Sequence, residues 1–343
     1  MDARQLEVVA PGSQAELEEL LSRPSPADVE ALSNLEGDLL VLGAAGKMGP
    51  TLVMRALRAS KRRVIAVARF SDRGVADRLK SNGAEIIEAD LLAPGALERL
   101  PDAPNVIFMA ARKFGTSGAE YLTWAMNALL PGLVAERWRA SRIVAFSTGN
   151  VYPLMPVTSG GATEDTRPEP VGEYGQSALA RERMFEYGSA LHGTRVALLR
   201  LNYAIDLRYG VLADIARAVF ERRPVDVSMG MVNVIWQGDA NSICLRALAH
   251  CQAPPLVLNM TGPETLSVRW IADEFARRFG VEAMFTGAES GTALLSNASR
   301  AIALFGYPSV SVAQMLDWTA EWVRSGGSSL NKPTHFQTRD GRF

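Results

Sequence analysis

Three glycines at fixed spacing follow a short apolar run, Leu40–Leu42. They form the pattern GxxGxxG, and a helical stretch begins directly behind them. Gly43 permits a tight turn, Gly46 lets a pyrophosphate approach the backbone, and Gly49 lets helix and strand pack closely. The helix N-terminus offers N–H groups to phosphate oxygens. This pattern predicts a dinucleotide site, with a plain tight turn as the alternative, formed by Gly43, Ala45, Gly46, Lys47, Met48 and Gly49.

The second apolar run, Val64–Ala68, bears on which dinucleotide fits. A carboxylate at the end of this strand would bind the ribose 2′-hydroxyl of NAD, but Arg69 follows instead, with Arg73 close behind. A guanidinium suits a 2′-phosphate, so NAD(P) is the expected cofactor with NADP favoured over NAD. The alternative is a solvated arginine at a strand end. Asp90 and Leu91 follow the third strand, where they would flank the adenine unless Asp90 caps a turn.

Short apolar runs alternate with helical stretches from residue 37 onward. Strands are predicted at 38–43, 64–68, 85–88, 105–110, 142–147, 195–201 and 255–259. Helices are predicted at 48–60, 74–81, 173–191, 211–222, 268–279 and 312–325, with a short one near Ala96 and a kink at Pro131 in a long helix before Arg139. Continuous apolar strands separated by helices indicate an α/β class, a doubly wound parallel sheet of the Rossmann type. Ligands of such sheets bind at the carboxyl ends of the strands.

The pattern also divides the chain into three parts. Residues 1–36 are expected to be an N-terminal helical extension with a packing role. Residues 37–202 and 234–261 are expected to form the dinucleotide-binding Rossmann domain. The less regular residues 203–233 and 262–343 are expected to form a smaller substrate-binding lobe.

Composition excludes several classes of function. The 343 residues carry 36 Lys+Arg against 37 Asp+Glu, which does not favour a nucleic-acid partner or a membrane surface. Cys244 and Cys251 are too few for a disulfide scaffold and are expected on one helix. The three histidines stand far apart, so no metal site is predicted. No apolar run is long enough for a membrane span, so we expect a cytoplasmic protein with a small-molecule substrate.

Four further segments carry motifs in a characteristic order. They are the small-residue segment Phe108–Ala111, the run Phe146–Pro153 with its Val-Tyr pair, the tyrosine-led segment Tyr174–Glu182, and the apolar run Val234–Asp239 that ends in aspartate. Over roughly residues 38–325 the chain resembles the extended short-chain dehydrogenase/reductase family, the NAD(P)-dependent epimerase/dehydratase group.

The resemblance implies a role for several of these residues. Ala110 and Ala111 would lie beside the cofactor, and Asn127 would support the backbone of the active site. Thr148 would bind a hydroxyl or carbonyl of the substrate, and Tyr174 would act as acid/base beside the nicotinamide. The implied substrate is a sugar or nucleotide-sugar. The implied assembly is a homodimer formed through the helices at 117–138 and 173–191.

One position departs from the family pattern. The family's lysine falls four residues after the tyrosine, where this chain has Ala178. That lysine matters because a tyrosine has an ordinary pKa of about 10 and needs a nearby cation to act as a base at neutral pH. Lys113 is the best candidate for a replacement cation, with a solvated loop lysine as the alternative. A further alternative is that Arg112 and Lys113 bind an anionic group of the substrate. Asn150 and Asn202 are further substrate-site candidates, with loop capping as the alternative for Asn202.

Three functions remain open at this stage. The leading hypothesis is an NAD(P)-dependent oxidoreductase or epimerase that works by hydride transfer. The second is a non-catalytic or weakly catalytic dinucleotide-binding sensor or interaction protein on the same fold, which the alanine at position 178 motivates. The third is a lyase or isomerase that uses the fold without net hydride transfer.

Overall fold

A seven-stranded parallel sheet forms the centre of the computed structural model, which describes residues 9–115, 118–332 and 334–342. The strand order is β12-β7-β5-β4-β1-β2-β3. In chain order, the strands are β1 (Leu39–Leu42), β2 (Val64–Ala68), β3 (Glu85–Glu88), β4 (Asn105–Phe108), β5 (Arg142–Thr148), β6 (Met155–Pro156), β7 (Arg195–Leu201), β8 (Ala204–Ile205), β9 (Val225–Asp226), β10 (Met231–Val232), β11 (Ile235–Trp236), β12 (Leu256–Met260), β13 (Leu266–Ser267), β14 (Phe285–Thr286) and β15 (Thr292–Ala293).

Helices cover both faces of the sheet and build the rest of the molecule. In chain order they are α1 (Gln14–Ser22), α2 (Pro26–Ser33), α3 (Gly49–Ala59), α4 (Arg73–Ser81), α5 (Glu120–Trp124), α6 (Leu130–Arg137), α7 (Gly172–His192), α8 (Val211–Phe220), α9 (Gln237–Ala247), α10 (Val268–Phe279), α11 (Ser299–Phe305) and α12 (Val312–Arg324). None of the helices within the described residues combines the length and apolar character that crossing a membrane requires.

The central strands β1 and β2 are apolar throughout because both of their faces are covered. Leu39 and Val41 of β1 belong to the hydrophobic cluster on one face of the sheet, whereas Leu40 and Leu42 belong to the cluster on the other. All four side chains are fully buried. This arrangement confirms the predicted doubly wound parallel sheet and brings the carboxyl ends of its strands to one edge.

A separate hydrophobic cluster lies outside the sheet, around α8, α10 and α12. The N-terminal extension contributes to it, because Leu17 and Leu21 of α1 are fully buried there. An ion pair fixes α2, the second helix of the extension: the buried Asp28 carboxylate lies 2.6 Å from the guanidinium of Arg55 in α3. The extension therefore packs against both the sheet-covering helices and this outer cluster. The three-part division of the chain stays a prediction.

The structure corrects several local predictions. The region near Ala96 forms turns instead of a helix, because Pro94 precedes Gly95 with φ +68. The long helix before Arg139 widens into a π-helical turn at Ala125–Leu129. Pro131 lies in the first turn of α6 just behind it, in place of the predicted kink.

Three further corrections concern the second half of the chain. The apolar run predicted to end in Asp239 stops at Trp236, and Asp239 lies in the first turn of α9. Its carboxylate accepts hydrogen bonds from the Ser309 N–H and hydroxyl, which explains why an acid is buried there. Cys251 lies beyond α9, so the two cysteines do not share one helix. The region 262–343 also contains α11, which the sequence analysis missed.

Candidate functional site

The glycine loop joins β1 to α3 at the carboxyl edge of the sheet. Gly43 has φ +91, and a Cβ there would lie 2.6 Å from the backbone nitrogen of Ala110. A Cβ on Gly49 would collide with the carbonyl oxygen of Ala44. At Gly46 a Cβ would meet only the loop's own Gly43 oxygen, at 3.3 Å. The first turn of α3 has no side-chain cap, but Pro50 in that turn carries no N–H and the Gly49 N–H donates to the Gly46 oxygen at 3.2 Å. The open side of Gly46 is therefore the feature that fits a pyrophosphate.

The remaining loop residues have different surroundings. Ala45 is exposed, and Met48 packs against the cluster on one face of the sheet. The Nζ of Lys47 lies 3.2 Å from the centroid of the Tyr209 ring, in the segment after β8, and 4.9 Å from that of Phe114. Burial, together with repulsion from other lysines, lowers the pKa of Lys47 to about 7.

The candidates at the adenosine end are placed as follows. Arg69 is exposed directly after β2. Arg73 forms an ion pair with Glu88 at 2.5 Å, so its guanidinium is already engaged. Asp90 accepts a hydrogen bond of 3.0 Å from the backbone N–H two residues on, the turn-capping alternative, and Leu91 is buried in the sheet cluster.

Lys113 and Tyr174 meet at the same edge of the sheet. The Nζ of Lys113 lies 5.6 Å from the centroid of the Tyr174 ring and 5.4 Å from that of Phe114. Burial lowers the pKa of Lys113 to about 8. Ala178, one turn beyond the tyrosine on α7, is fully buried in a cluster with Val151. The structure therefore brings the predicted replacement cation to the tyrosine.

Asn127 supports the loop that carries Lys113. Its Oδ1 accepts a hydrogen bond of 2.9 Å from the Arg112 N–H, and its Nδ2 donates to the Arg112 carbonyl oxygen at 2.8 Å. The side chain of Arg112 turns back onto the same loop and donates to the Gly115 carbonyl at 2.7 Å. Ala111 is exposed, whereas Ala110 is buried beside the glycine loop. Asn127 itself is fully buried, and its side chain acts on this loop by binding the backbone of Arg112.

Thr148 ends β5 next to the other substrate-site candidates. Its Oγ1 accepts hydrogen bonds from the backbone and side chain of Asn150, at 3.2 and 3.0 Å. Because both contacts use Oγ1 as the acceptor, the hydroxyl hydrogen can still donate to a ligand. Asn202 lies nearby, since a Cβ on Gly149 would be 3.3 Å from its Cγ. Asn202 also bridges loops by donating to the Leu294 carbonyl at 3.2 Å.

A buried ion pair holds α7 against the sheet. Arg200 of β7 donates to both carboxylate oxygens of Glu182, at 2.9 and 2.7 Å, and also to the Tyr152 hydroxyl at 2.6 Å. The Ser147 hydroxyl, next to Thr148, donates to the same carboxylate. This network ties the helix that carries the tyrosine to the strand that carries the threonine.

The sequence analysis missed a group of residues from α8 and the C-terminal segment that gathers near Phe114. The ring of His335 lies 6.1 Å from that of Phe114, and Thr334 donates its N–H to Asp214 at 2.8 Å. No spacing rule could have found them, because they come from distant parts of the chain. A cavity of about 260 Å³ adjoins this group, with polar lining residues Asp214, Arg217, Arg223, Asp226, His335 and Gln337.

Comparison with known proteins identifies the class of the central part of the chain. Residues 39–205 match the model of the NAD dependent epimerase/dehydratase family. This segment, which holds the glycine loop, Thr148 and Tyr174, belongs to that family. No curated protein sequence matches the chain.

Solved structures share the fold at low sequence identity. A UDP-glucose 4-epimerase from Thermotoga maritima, solved with UDP-glucose, is 18% identical with a TM-score of 0.70, covering 84% of this chain and 99% of its own. A UDP-glucuronic acid 4-epimerase from Bacillus cereus, solved with UDP-glucuronic acid and NAD, is 21% identical with a TM-score of 0.70 and the same coverages of 84% and 99%. The Bordetella bronchiseptica enzyme WbmG, solved with NAD, is 19% identical with a TM-score of 0.71, covering 87% of this chain and 97% of its own.

Proposed function

We propose that this protein is an NAD(P)-dependent epimerase/dehydratase-type enzyme that acts on a sugar or nucleotide-sugar by hydride transfer. The observation that carries the proposal is the Lys113 ammonium 5.6 Å from the centroid of the Tyr174 ring, at the carboxyl edge of the parallel sheet. The family segment supports the enzyme class. The structural neighbours solved with UDP-glucose and UDP-glucuronic acid support the substrate class.

The glycine loop fits a dinucleotide. The pyrophosphate would lie against the open side of Gly46, at the N-terminal end of α3, where the helix dipole favours a negative charge. Arg69 would bind the 2′-phosphate of NADP, and Ala110 and Ala111 would lie beside the cofactor. When bound, the dinucleotide supplies a reversible hydride acceptor.

The protein's own residues would handle the proton. As a substrate C–H bond loses its hydride and the alcohol becomes a carbonyl, the proton of that hydroxyl moves to the phenolic oxygen of Tyr174. The Thr148 hydroxyl donates a hydrogen bond to the same substrate oxygen. The Lys113 ammonium stabilises the negative charge of the tyrosine before it takes the proton. If a hydride returns to the opposite face of the carbonyl carbon, Tyr174 returns the proton to the oxygen and the epimerisation is complete. If no hydride returns, the product remains a carbonyl compound.

A turnover assay tests this proposal. The purified protein is incubated with NAD or NADP and either UDP-glucose or UDP-glucuronic acid, and epimers and reduced nicotinamide are measured. Tyr174→Phe should abolish turnover and retain binding, whereas Tyr307→Phe, which changes an exposed tyrosine just after α11, should behave as wild type. Turnover by Tyr174→Phe at the wild-type rate would remove the acid/base role and, with it, the main support for the enzyme.

A second candidate function is a dinucleotide sensor on the same fold. It is favoured by the fully buried Ala178, which leaves no ammonium on α7 at the family's position. The same assay separates the two functions. A sensor binds NAD or NADP by calorimetry without converting either UDP-sugar.

The helices beside the tyrosine carry an apolar face suited to a homodimer. Leu129 and Leu133, in the π-helical turn and α6, are 57% and 47% exposed, and Leu191 of α7 is 57% exposed. Exposed apolar side chains gathered on neighbouring helices favour burial against a second copy. We propose a homodimer through this face.

A further inference from the structure

We propose that Arg181 is a positioning residue that acts through Asn127 to hold the Lys113 loop against Tyr174. The inference rests on the proposed function, because it assigns the support of the proposed replacement cation. It follows from the hydrogen bonds of two buried side chains on neighbouring helices.

The first step is the placement of the guanidinium. Arg181 is 2% exposed and lies seven residues after Tyr174, two turns further along α7. Its Nη1 donates to the Phe146 carbonyl oxygen of β5 at 2.7 Å, and its Nη2 donates to Oδ1 of Asn127 at 2.9 Å. The planar fork therefore links the helix, the strand before Thr148 and the π-helical turn. A side chain with one donor cannot reproduce this geometry.

The second step is the orientation of the Asn127 amide. Its Oδ1 accepts from Arg181 and from the Arg112 N–H, each at 2.9 Å. Its Nδ2 donates to the Arg112 carbonyl at 2.8 Å and to the Ser177 hydroxyl at 3.0 Å. A flipped amide would place an NH2 group against two donors, so the guanidinium helps to select the observed orientation.

The third step leads to the cation. Because Asn127 binds both the N–H and the carbonyl of Arg112, the backbone immediately before Lys113 is held on both sides. The Ser177 hydroxyl that accepts from Asn127 also donates to the Tyr174 carbonyl at 3.0 Å. The Asn127 side chain thus supports both the loop that carries Lys113 and the helical turn that carries Tyr174. The arrangement compensates for Ala178, since it delivers the ammonium from a neighbouring loop instead of from α7.

The test measures the accessibility of Lys113 and needs neither substrate nor cofactor. Amines are acetylated at fixed pH with an N-hydroxysuccinimide ester of acetate, and each lysine is followed by peptide mass spectrometry. In Arg181→Met, which keeps an apolar stem without donors, Lys113 should react at least about fivefold faster than in wild type. The exposed Lys80 provides the internal reference and should keep its rate. Arg183→Met is the matched control, because Arg183 lies on the same helix but forms an exposed ion pair with Glu186.

A wild-type rate for Lys113 in folded Arg181→Met overturns the proposal. If Arg181→Met does not fold, the acetylation rate of Lys113 is measured in Asn127→Asp instead. It keeps acceptors for Arg181 and the Arg112 N–H but loses both Nδ2 donors, so a wild-type Lys113 rate in it also overturns the proposal. A turnover arm with UDP-glucose adds a functional readout: kcat of Arg181→Met should fall about tenfold or more at nearly unchanged KM. If wild type converts no UDP-sugar, the proposed function fails, while the acetylation result still decides the positioning role.

Discussion

The Lys47 ammonium lies 3.2 Å from the centroid of the Tyr209 ring, so the glycine loop contacts the segment that follows β8. Burial and the repulsion of Lys113 and Lys332 lower the pKa of Lys47 to about 7, and Asp214 opposes that shift. The charged form of Lys47 is therefore disfavoured, at a place where a bound phosphate would favour it.

This contact predicts an effect on stability. A lysine whose pKa falls on folding destabilises the folded state most below the folded pKa, and the cost fades as pH rises toward the unfolded value. Lys47→Met should therefore raise the free energy of unfolding by roughly 1–3 kcal/mol at pH values below about 7. The gain should shrink steadily above that pH. Urea unfolding across the pH range measures it, with the exposed Lys80→Met as control; a pH-independent difference would contradict the assignment.

The exposed arginine after β2 predicts cofactor preference. NADP should bind more tightly than NAD, and Arg69→Ala should weaken NADP binding by about tenfold, the loss of one charge-assisted contact, with little effect on NAD. Calorimetric titration of both dinucleotides measures this. Arg167→Ala changes an exposed arginine elsewhere and should change neither affinity. Tighter binding of NAD by the wild type would refute the preference.

Replacing Gly46 should remove dinucleotide binding without preventing the protein from folding. A Cβ at this position would meet only the Gly43 oxygen at 3.3 Å, so Gly46→Val should fold, yet its methyl groups would occupy the space that a pyrophosphate needs. Dinucleotide binding should be lost by calorimetry while the thermal midpoint stays near that of wild type. Gly291→Val, where a Cβ has nothing within 4 Å, is the control. Unchanged affinity in Gly46→Val would show that the loop does not bind phosphates.

The ion pair of Glu182 and Arg200 predicts a large cost for removing one partner. Both side chains are almost fully buried, at 0% and 4% exposure. Arg200→Met leaves a buried carboxylate unpaired and should lower the free energy of unfolding by about 3–5 kcal/mol. The double variant with Glu182→Met should recover part of that loss. Denaturant unfolding of the two single variants and the double variant measures the coupling. Strictly additive losses would show that the two groups act independently.

The exposed leucines near α6 predict that the protein forms a homodimer. Leu129→Asp combined with Leu133→Asp places two charges on the face that we propose as the dimer interface. Light scattering coupled to size exclusion should show a dimer for wild type and a monomer for the variant. Phe220→Asp changes an apolar residue on α8 that is 44% exposed and should keep the wild-type mass. A monomeric wild type would exclude the interface.

Local patterns were enough to predict the sheet. Three strands are predicted at their observed limits: Val64–Ala68, Glu85–Glu88 and Arg195–Leu201. The first is apolar and buried along its whole length, as expected of a strand covered on both faces. Glu85–Glu88 is instead a partly exposed edge strand, and the turn residues Asn82 and Gly83 mark where it begins. The turns around Gly95 and the π-helical turn before Pro131 were missed. Neither has a periodic signal, and the second depends on how Asn127 is drawn into the core.

By itself the sequence determined the parallel sheet, the glycine loop and the order of the motifs, because each depends on residues close together in the chain. Only the tertiary structure decided that Lys113 meets Tyr174, that Arg181 binds Asn127 and that Lys47 lies on Tyr209. Those contacts join residues from different helices and loops. Their partners are chosen by how the elements pack and by the need of each buried charge or amide for a counterpart, and neither requirement leaves a fixed spacing in the chain.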